Sequence, residues 1–165
     1  HSYQRMLDEV SLFLHLVEES KDADGKKQSY KKLNLLNNIL HNKKVLIVDD
    51  DVRNIYSLTK ALEAFKMNVI TAFDGNEAIK MLDEHPDTDI VLLDMMMPNM
   101  DGYETAEKIR TKPKMLTLPL IAVTAKAMTG DREKCIKAGA SDYITKPVDI
   151  DQLLSLLRVW LYDKV

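Results

Sequence analysis

Five short apolar runs, each followed by a polar break and a helix-length pattern, restrict this chain more than any other feature. Val45-Leu46-Ile47-Val48 is continuous and rich in β-branched residues, as a parallel strand buried on both faces requires. Val69 to Phe73, Ile90-Val91-Leu92-Leu93, Leu120-Ile121-Ala122-Val123 and the short Tyr143-Ile144 read as four more strands. Between them lie helical patterns. Residues 52–66 carry Ile55, Leu58, Leu62 and Phe65 at helical spacing, and Gly75 to Glu84 turns Ala78, Ile79 and Leu82 inward. A helix follows from Met100 to Arg110, another runs through Cys135 to Ala138 and stops at Gly139, and a last one spans Ile150 to Leu161, with Leu153, Leu154, Leu157 and Trp160 inside. Alternation of this kind gives an α/β domain with a parallel sheet and helices on both faces.

Residues 1–43 stand outside that alternation. Leu7, Val10, Leu14 and Val17 fall at heptad-like spacing, so one amphipathic helix is expected over residues 3–19. From Lys26 to Lys44 there are six lysines and no acid, and this stretch reads as a solvated linker because its one aromatic, Tyr30, makes no interleaved pattern. The division expected is therefore 1–43, a helix and lysine-rich linker from a preceding module, and 44–165, the sheet domain. His1-Ser2 in place of Met reads as a piece excised from something longer. A net charge of −3 gives no general attraction to nucleic acid. No apolar run approaches the roughly 20 residues of a membrane span, and the single cysteine, Cys135, suits a reducing compartment. The expected setting is cytoplasmic, with no membrane contact by this fragment. His15 lies within the first helix without the acidic or proline context of a phosphodonor and reads as a helix-face residue.

Ligands of open parallel sheets bind at the carboxyl ends of the strands. Directly after the first strand come Asp49, Asp50 and Asp51; after the third comes Asp94; after the fourth, Thr124; after the fifth, Lys146 and Pro147. Asp51, just ahead of a helix, reads as its N-cap. The other carboxylates repel one another unless they share protons or hold a cation. Oxygen donors with no nearby His or Cys favour a hard ion, and Mg²⁺ suits a site of few carboxylates. A lysine and a hydroxyl beside such a metal cradle an anion, most naturally a phosphoryl group. Neither a GxGxxG nor a GxxxxGK[ST] occurs, so no nucleotide is implied. The chemistry suggested is phosphoryl transfer to a carboxylate, with Asp94 as nucleophile.

VLIVDDD at 45–51, VLLDMMMPNMDGYE at 91–104, AVTAKAM at 122–128 and GASDYITKPVD at 139–149 together resemble the receiver domain of two-component signalling, over about residues 44–162. The resemblance implies the flavodoxin-like strand order 2-1-3-4-5 and a phosphoacceptor at Asp94 that takes its phosphoryl group from a phosphohistidine. It implies Mg²⁺ held by Asp49, Asp50, Asp94 and the main-chain carbonyl of Met96. It also implies Thr124 and Lys146 on the phosphoryl oxygens, a switch of Thr124 and Tyr143, and a cis Lys146-Pro147 bond. Such a domain catalyses its own phosphorylation and dephosphorylation. Met96 and Lys126, two residues after Asp94 and Thr124, line the approach to the phosphoryl group.

The wording of IVDDDVRNIYSLTKALE and DREKCIKAGASDYITKPVD is similar to receivers fused to hybrid sensor histidine kinases. That implies a kinase phosphodonor domain and a histidine phosphotransfer protein as partners, with no direct nucleic-acid contact. The alternatives are a receiver of a separate response regulator and a pseudo-receiver that never takes phosphate. An aspartyl-phosphate phosphatase is disfavoured, because Met96 stands where such an enzyme needs a second acid. The orphaned stripe of the N-terminal helix favours a homodimer through a helix–helix seam. His41 and His85 suggest no transition-metal site. Met95, Met96 and Met97 read as loop and core packing, and Cys135 as structural.

Overall fold

The structure is a computed structural model, and it describes residues 38–97, 101–125 and 129–162. The helix expected over residues 3–19, the linker through residue 37, His15 and Lys126 lie outside the described residues. Five strands form a single parallel sheet: β1 (Lys44–Val48), β2 (Asn68–Ala72), β3 (Ile90–Asp94), β4 (Leu120–Thr124) and β5 (Asp142–Thr145). Their order is 2-1-3-4-5, as expected. The helices are α1 (Val52–Glu63), α2 (Gly75–Glu84), α3 (Gly102–Arg110), α4 (Thr129–Ala138) and α5 (Ile150–Leu161), with a 3₁₀ turn at Pro113–Met115. Helix α5 from Asp151 onward belongs to one compact unit, and residues 42–150 form another.

Period-two alternation builds the layers of that unit. Leu46, Val48, Val91, Leu93, Leu120 and Ala122 point to one face, where they meet Ala78 and Leu82 of α2, Ala106 and Ile109 of α3, and Cys135 and Ala138 of α4. Val45, Ile47, Leu92 and Ile121, the intervening residues, are equally buried on the other face. Helix α1 packs along β1 and β2 with Ile55, Leu58 and Leu62 buried. Burial on both faces is why these strands read as continuous apolar runs. On α5, Leu153, Leu154, Leu156, Leu157 and Leu161 are buried, while Trp160 is only half-buried.

Helix α1 ends three residues before the expected boundary. Lys66 takes a φ of +63°, and the Met67 N–H turns back to donate to the Leu62 carbonyl. A left-handed residue closing the last carbonyls is a common helix stop. Three helices begin on an aspartate cap, each accepting from a backbone N–H two or three residues on: Asp51 from Arg53, Asp74 from Glu77 and Asp101 from Glu104. Each such cap contributes about 1 kcal/mol.

Candidate functional site

Parallel strands put all their carboxyl ends on one edge, and four of them carry polar residues there. Asp49 directly follows β1, Asp94 closes β3, Thr124 closes β4, and Lys146 directly follows β5. The backbone holds these positions beyond the strands proper. Asp49 N–H donates to the Ala72 carbonyl at 3.1 Å, Met95 N–H to Val123 at 2.9 Å, and Lys146 N–H to Thr124 at 2.8 Å.

Oxygens of Asp49, Asp50 and Asp94 lie within 4.8 Å of one another. Asp49 and Asp94 are buried, 3% and 2% exposed, whereas Asp50 is open to solvent. Lys146 Nζ stands between the two buried acids, 3.6 Å from Asp49 Oδ2 and 3.3 Å from Asp94 Oδ2. The remaining oxygens are fixed locally: Asp51 N–H donates to Asp49 Oδ1 at 2.8 Å, and Met96 N–H to Asp94 Oδ1 at 3.0 Å. Asn54 Nδ2 reaches Asp49 Oδ2 at 3.3 Å from the first turns of α1.

Burial pushes the Asp49 carboxyl above its usual range, and the Asp94 charge adds to that; the Asp51 N–H, Lys146 and Asn54 pull it partly back. Three acids against one lysine leave a formal surplus of two negative charges in a half-dry site. A dication balances that surplus, and an all-oxygen donor set selects a hard one. The residues present therefore fit the Mg²⁺ expected from the sequence.

Glycine at 102 brings the next helix up against the backbone of Asp94. A Cβ there would fall 2.6 Å from the Asp94 carbonyl oxygen and closer still to Met95 Cα. Helix α3 thus begins on the Asp94–Met95 peptide itself, and it fixes the loop that carries Met96. The methionine run divides by burial: Met95 and Met97 fill the core, and Met96 stands 59% exposed beside Asp94. Of the pair expected to switch, Thr124 is buried one residue past Val123, the register partner of Asp94. Tyr143, opposite Ala122 on β5, packs half-buried against the core. The Lys146-Pro147 bond is cis. A cavity of about 600 Å³ opens beside the acids, walled by Asn54, Leu58, Val123, Lys146 and Pro147.

Residues 45–158 match the family described as the response regulator receiver domain. The chain belongs to the receiver-domain family. It is 38% identical over 113 residues to the signal transduction histidine-protein kinase BarA of Escherichia coli K12, a match covering 68% of this chain and 12% of that protein. It is 38% identical over 115 residues to the response regulator PleD of Caulobacter vibrioides NA1000, covering 70% of this chain and 25% of that one. Among solved structures, the receiver domain of the sensor histidine kinase PA1611 from Pseudomonas aeruginosa PAO1 superimposes with a TM-score of 0.68 at 31% identity, over 73% of this chain and 98% of that one. A magnesium ion is coordinated in the active site cleft of that structure. The receiver spans 12 to 25% of the length of these curated relatives.

Asp51 caps α1, as its position suggested. Cys135 is buried, its thiol donating to the Tyr103 hydroxyl at 3.9 Å, and burial pushes both groups up, Tyr103 to about 12. His85 Nδ1 lies 3.3 Å from Lys44 Nζ, which also pairs with Asp87 at 2.7 Å. Among the described residues no helix is long and apolar enough to cross a membrane. Asn54 and Gly102 carry no signal in the sequence pattern as parts of the site. Only their placement in the first turns of the helices after two acid-bearing strands could have pointed to them.

Proposed function

We propose that this receiver accepts a phosphoryl group from a phosphohistidine onto Asp94, with Mg²⁺ held by Asp49, Asp50, Asp94 and the Met96 carbonyl. The observation that carries the reading is the bridging of two buried carboxylates by Lys146 at 3.3 and 3.6 Å. A lysine so placed is poised to stay with phosphoryl oxygens once Asp94 has reacted. In the step, an Asp94 carboxylate oxygen attacks phosphorus, the P–N bond of the donor breaks, and its electron pair returns to the imidazole. Bound Mg²⁺ would neutralise phosphoryl charge there. Thr124 donates its hydroxyl to a phosphoryl oxygen, and Tyr143 follows into the space it leaves. Met96 N–H holds the oxygen of Asp94 that does not face Lys146.

The parent is read as a hybrid histidine kinase in a phosphorelay, in keeping with the match to BarA, with a kinase phosphodonor domain and a histidine phosphotransfer protein as partners. The match to PleD favours the second reading, a receiver of a separate response regulator. Residues 44–165 are assigned to the receiver and 1–43 to a preceding module, in a cytoplasmic setting; pairing through the 3–19 helix belongs to the same reading. Acetyl phosphate with Mg²⁺ should phosphorylate the wild type, and withdrawing Mg²⁺ with chelator should stop it. Undiminished modification in chelator would overturn the metal-dependent reading.

A further inference from the structure

Far from the acids, at the amino edge of the sheet, one guanidinium ties three helix ends together. Arg110 sits in the last turn of α3 and is half-buried. Its Nε donates to the Gly139 carbonyl just past α4 at 2.8 Å. Its Nη1 donates to the carbonyls of Met115, at 2.6 Å, and Leu116, at 3.3 Å, at the end of the 3₁₀ turn. Its Nη2 donates to Ser141 Oγ at 3.3 Å. Among the described residues no carboxylate lies within ion-pair reach of it. The charge is held by carbonyls at the negative ends of helices. Burial lowers its pKa, yet an arginine stays protonated throughout the working range. Gly139 makes room for the arm: it takes a φ of +119°, and a Cβ there would fall 2.6 Å from Arg110 Cγ.

Ser141 passes this anchorage to the sheet. Its Oγ accepts from Leu120 N–H at 3.0 Å while its own N–H donates to the Leu120 carbonyl at 2.7 Å. The first residue of β4 is therefore clamped on both backbone groups by the residue that leads into β5. β5 is a four-residue edge strand with β4 as its one neighbour, so few other bonds fix its register. At its far end lies Lys146, about 16 Å along the chain from Ser141 at the usual strand rise.

We infer that Arg110, acting through Ser141 and the β4–β5 register, is a positioning residue for Lys146. The inference rests on the phosphoacceptor reading above. It separates two halves of the site that a general loosening would not separate. The metal-binding carboxylates stand at the ends of β1 and β3, and the hydrogen bonds of Arg110 and Ser141 run to neither of those strands. The groups that meet the phosphoryl oxygens, Thr124 and Lys146, stand at the ends of β4 and β5, which those bonds tie together.

The test compares wild type, Arg110→Lys and Ser141→Ala in the full chain, with Mg²⁺ affinity measured by titration and phosphorylation by acetyl phosphate measured at saturating Mg²⁺. A lysine keeps the charge but cannot reach both Gly139 and Ser141. The alanine removes the oxygen shared by Leu120 and Arg110, and it is small enough to fold should the arginine variant fail. Both variants should bind Mg²⁺ at least as tightly as the wild type and lose rate by about tenfold, less than the ~10²-fold that a full 1 Å misplacement can cost. The Lys146 side-chain resonances should shift in both. Folded variants with unchanged rate, or with rate and Mg²⁺ affinity falling together, would overturn the inference. Failure of the wild type to take phosphate would instead strike the phosphoacceptor reading beneath it.

Discussion

Replacing Asp49 by Asn should stabilise the metal-free receiver near neutral pH. At an effective dielectric constant of about 20, Lys146 at 3.6 Å attracts the Asp49 charge by about 4.6 kcal/mol, and Asp94, at most 4.8 Å away, repels it by at least about 3.5. These nearly cancel. What remains is the cost of burying a carboxylate at 3% exposure, several kcal/mol even after relaxation, together with a screened push from exposed Asp50. The Asp51 N–H bond survives in the amide, so the net relief is about 1–2 kcal/mol, or roughly 2 to 8 °C in Tm for a chain of this size.

The sign has its own check in pH. Asp49 has a folded pKa raised above 3.8, chiefly by burial, so the folded state holds its proton more tightly than the unfolded chain does. The stability that this proton carries is complete below 3.8 and is lost as pH rises through the elevated value. The advantage of Asp49→Asn should be near zero in acid, where an amide and a neutral carboxyl are alike, and should grow toward neutrality. Added Mg²⁺ at ten times its dissociation constant stabilises the wild type by about 1.4 kcal/mol and the variant by much less. Thermal unfolding in chelator from pH 3.5 to 7.5, repeated with Mg²⁺, measures all of this. An Asn variant that is less stable at pH 7 without metal, or an advantage independent of pH, would refute the reasoning.

Three further outcomes are expected. Gly102→Ala should cost about 1–3 kcal/mol, since the new methyl meets backbone at Asp94 and Met95 that cannot yield; unfolding in urea at an unchanged slope checks it. Lys146→Ala should leave two buried acids without their cation, so Mg²⁺ should bind the variant more tightly while phosphorylation slows by about 10²-fold or more, as expected for loss of one stabilising donor; equal losses in both would count against the lysine's role. Thr124→Ala should leave Asp94 phosphorylatable yet abolish phosphate-dependent amide shifts around Tyr143, and identical shifts in both proteins would break the proposed route.

Much of this was legible because burial on both faces writes a strand as an unbroken apolar run, and parallel strands put whatever follows each run on one edge. Asp49, Asp94 and Lys146 could be grouped on that ground alone, before any distance was known. Boundaries were less legible. Phe65 keeps the helical spacing of Ile55, Leu58 and Leu62, but the turn at Lys66 has already ended α1. Phe73 looks like strand, yet it is exposed and its N–H donates to Glu77 Oε2 at the start of α2. Trp160 was expected inside α5, where Leu156 and Leu161 are buried instead. The Arg110 network left no trace in the pattern, because it joins positions 29 and 31 residues apart, through a carbonyl that any residue type offers and a lone serine hydroxyl.

The central claim is that Asp94 itself becomes phosphorylated, and identifying the modified side chain tests it most directly. The receiver would be treated with acetyl phosphate and Mg²⁺ and reduced with borohydride, which converts an aspartyl phosphate to homoserine, and its peptides would then be sequenced by mass spectrometry. Homoserine should appear at position 94 in the wild type and nowhere in Asp94→Asn. Homoserine at Asp49 or Asp50 in the wild type, or a wild type that stays unmodified under these conditions, would contradict it.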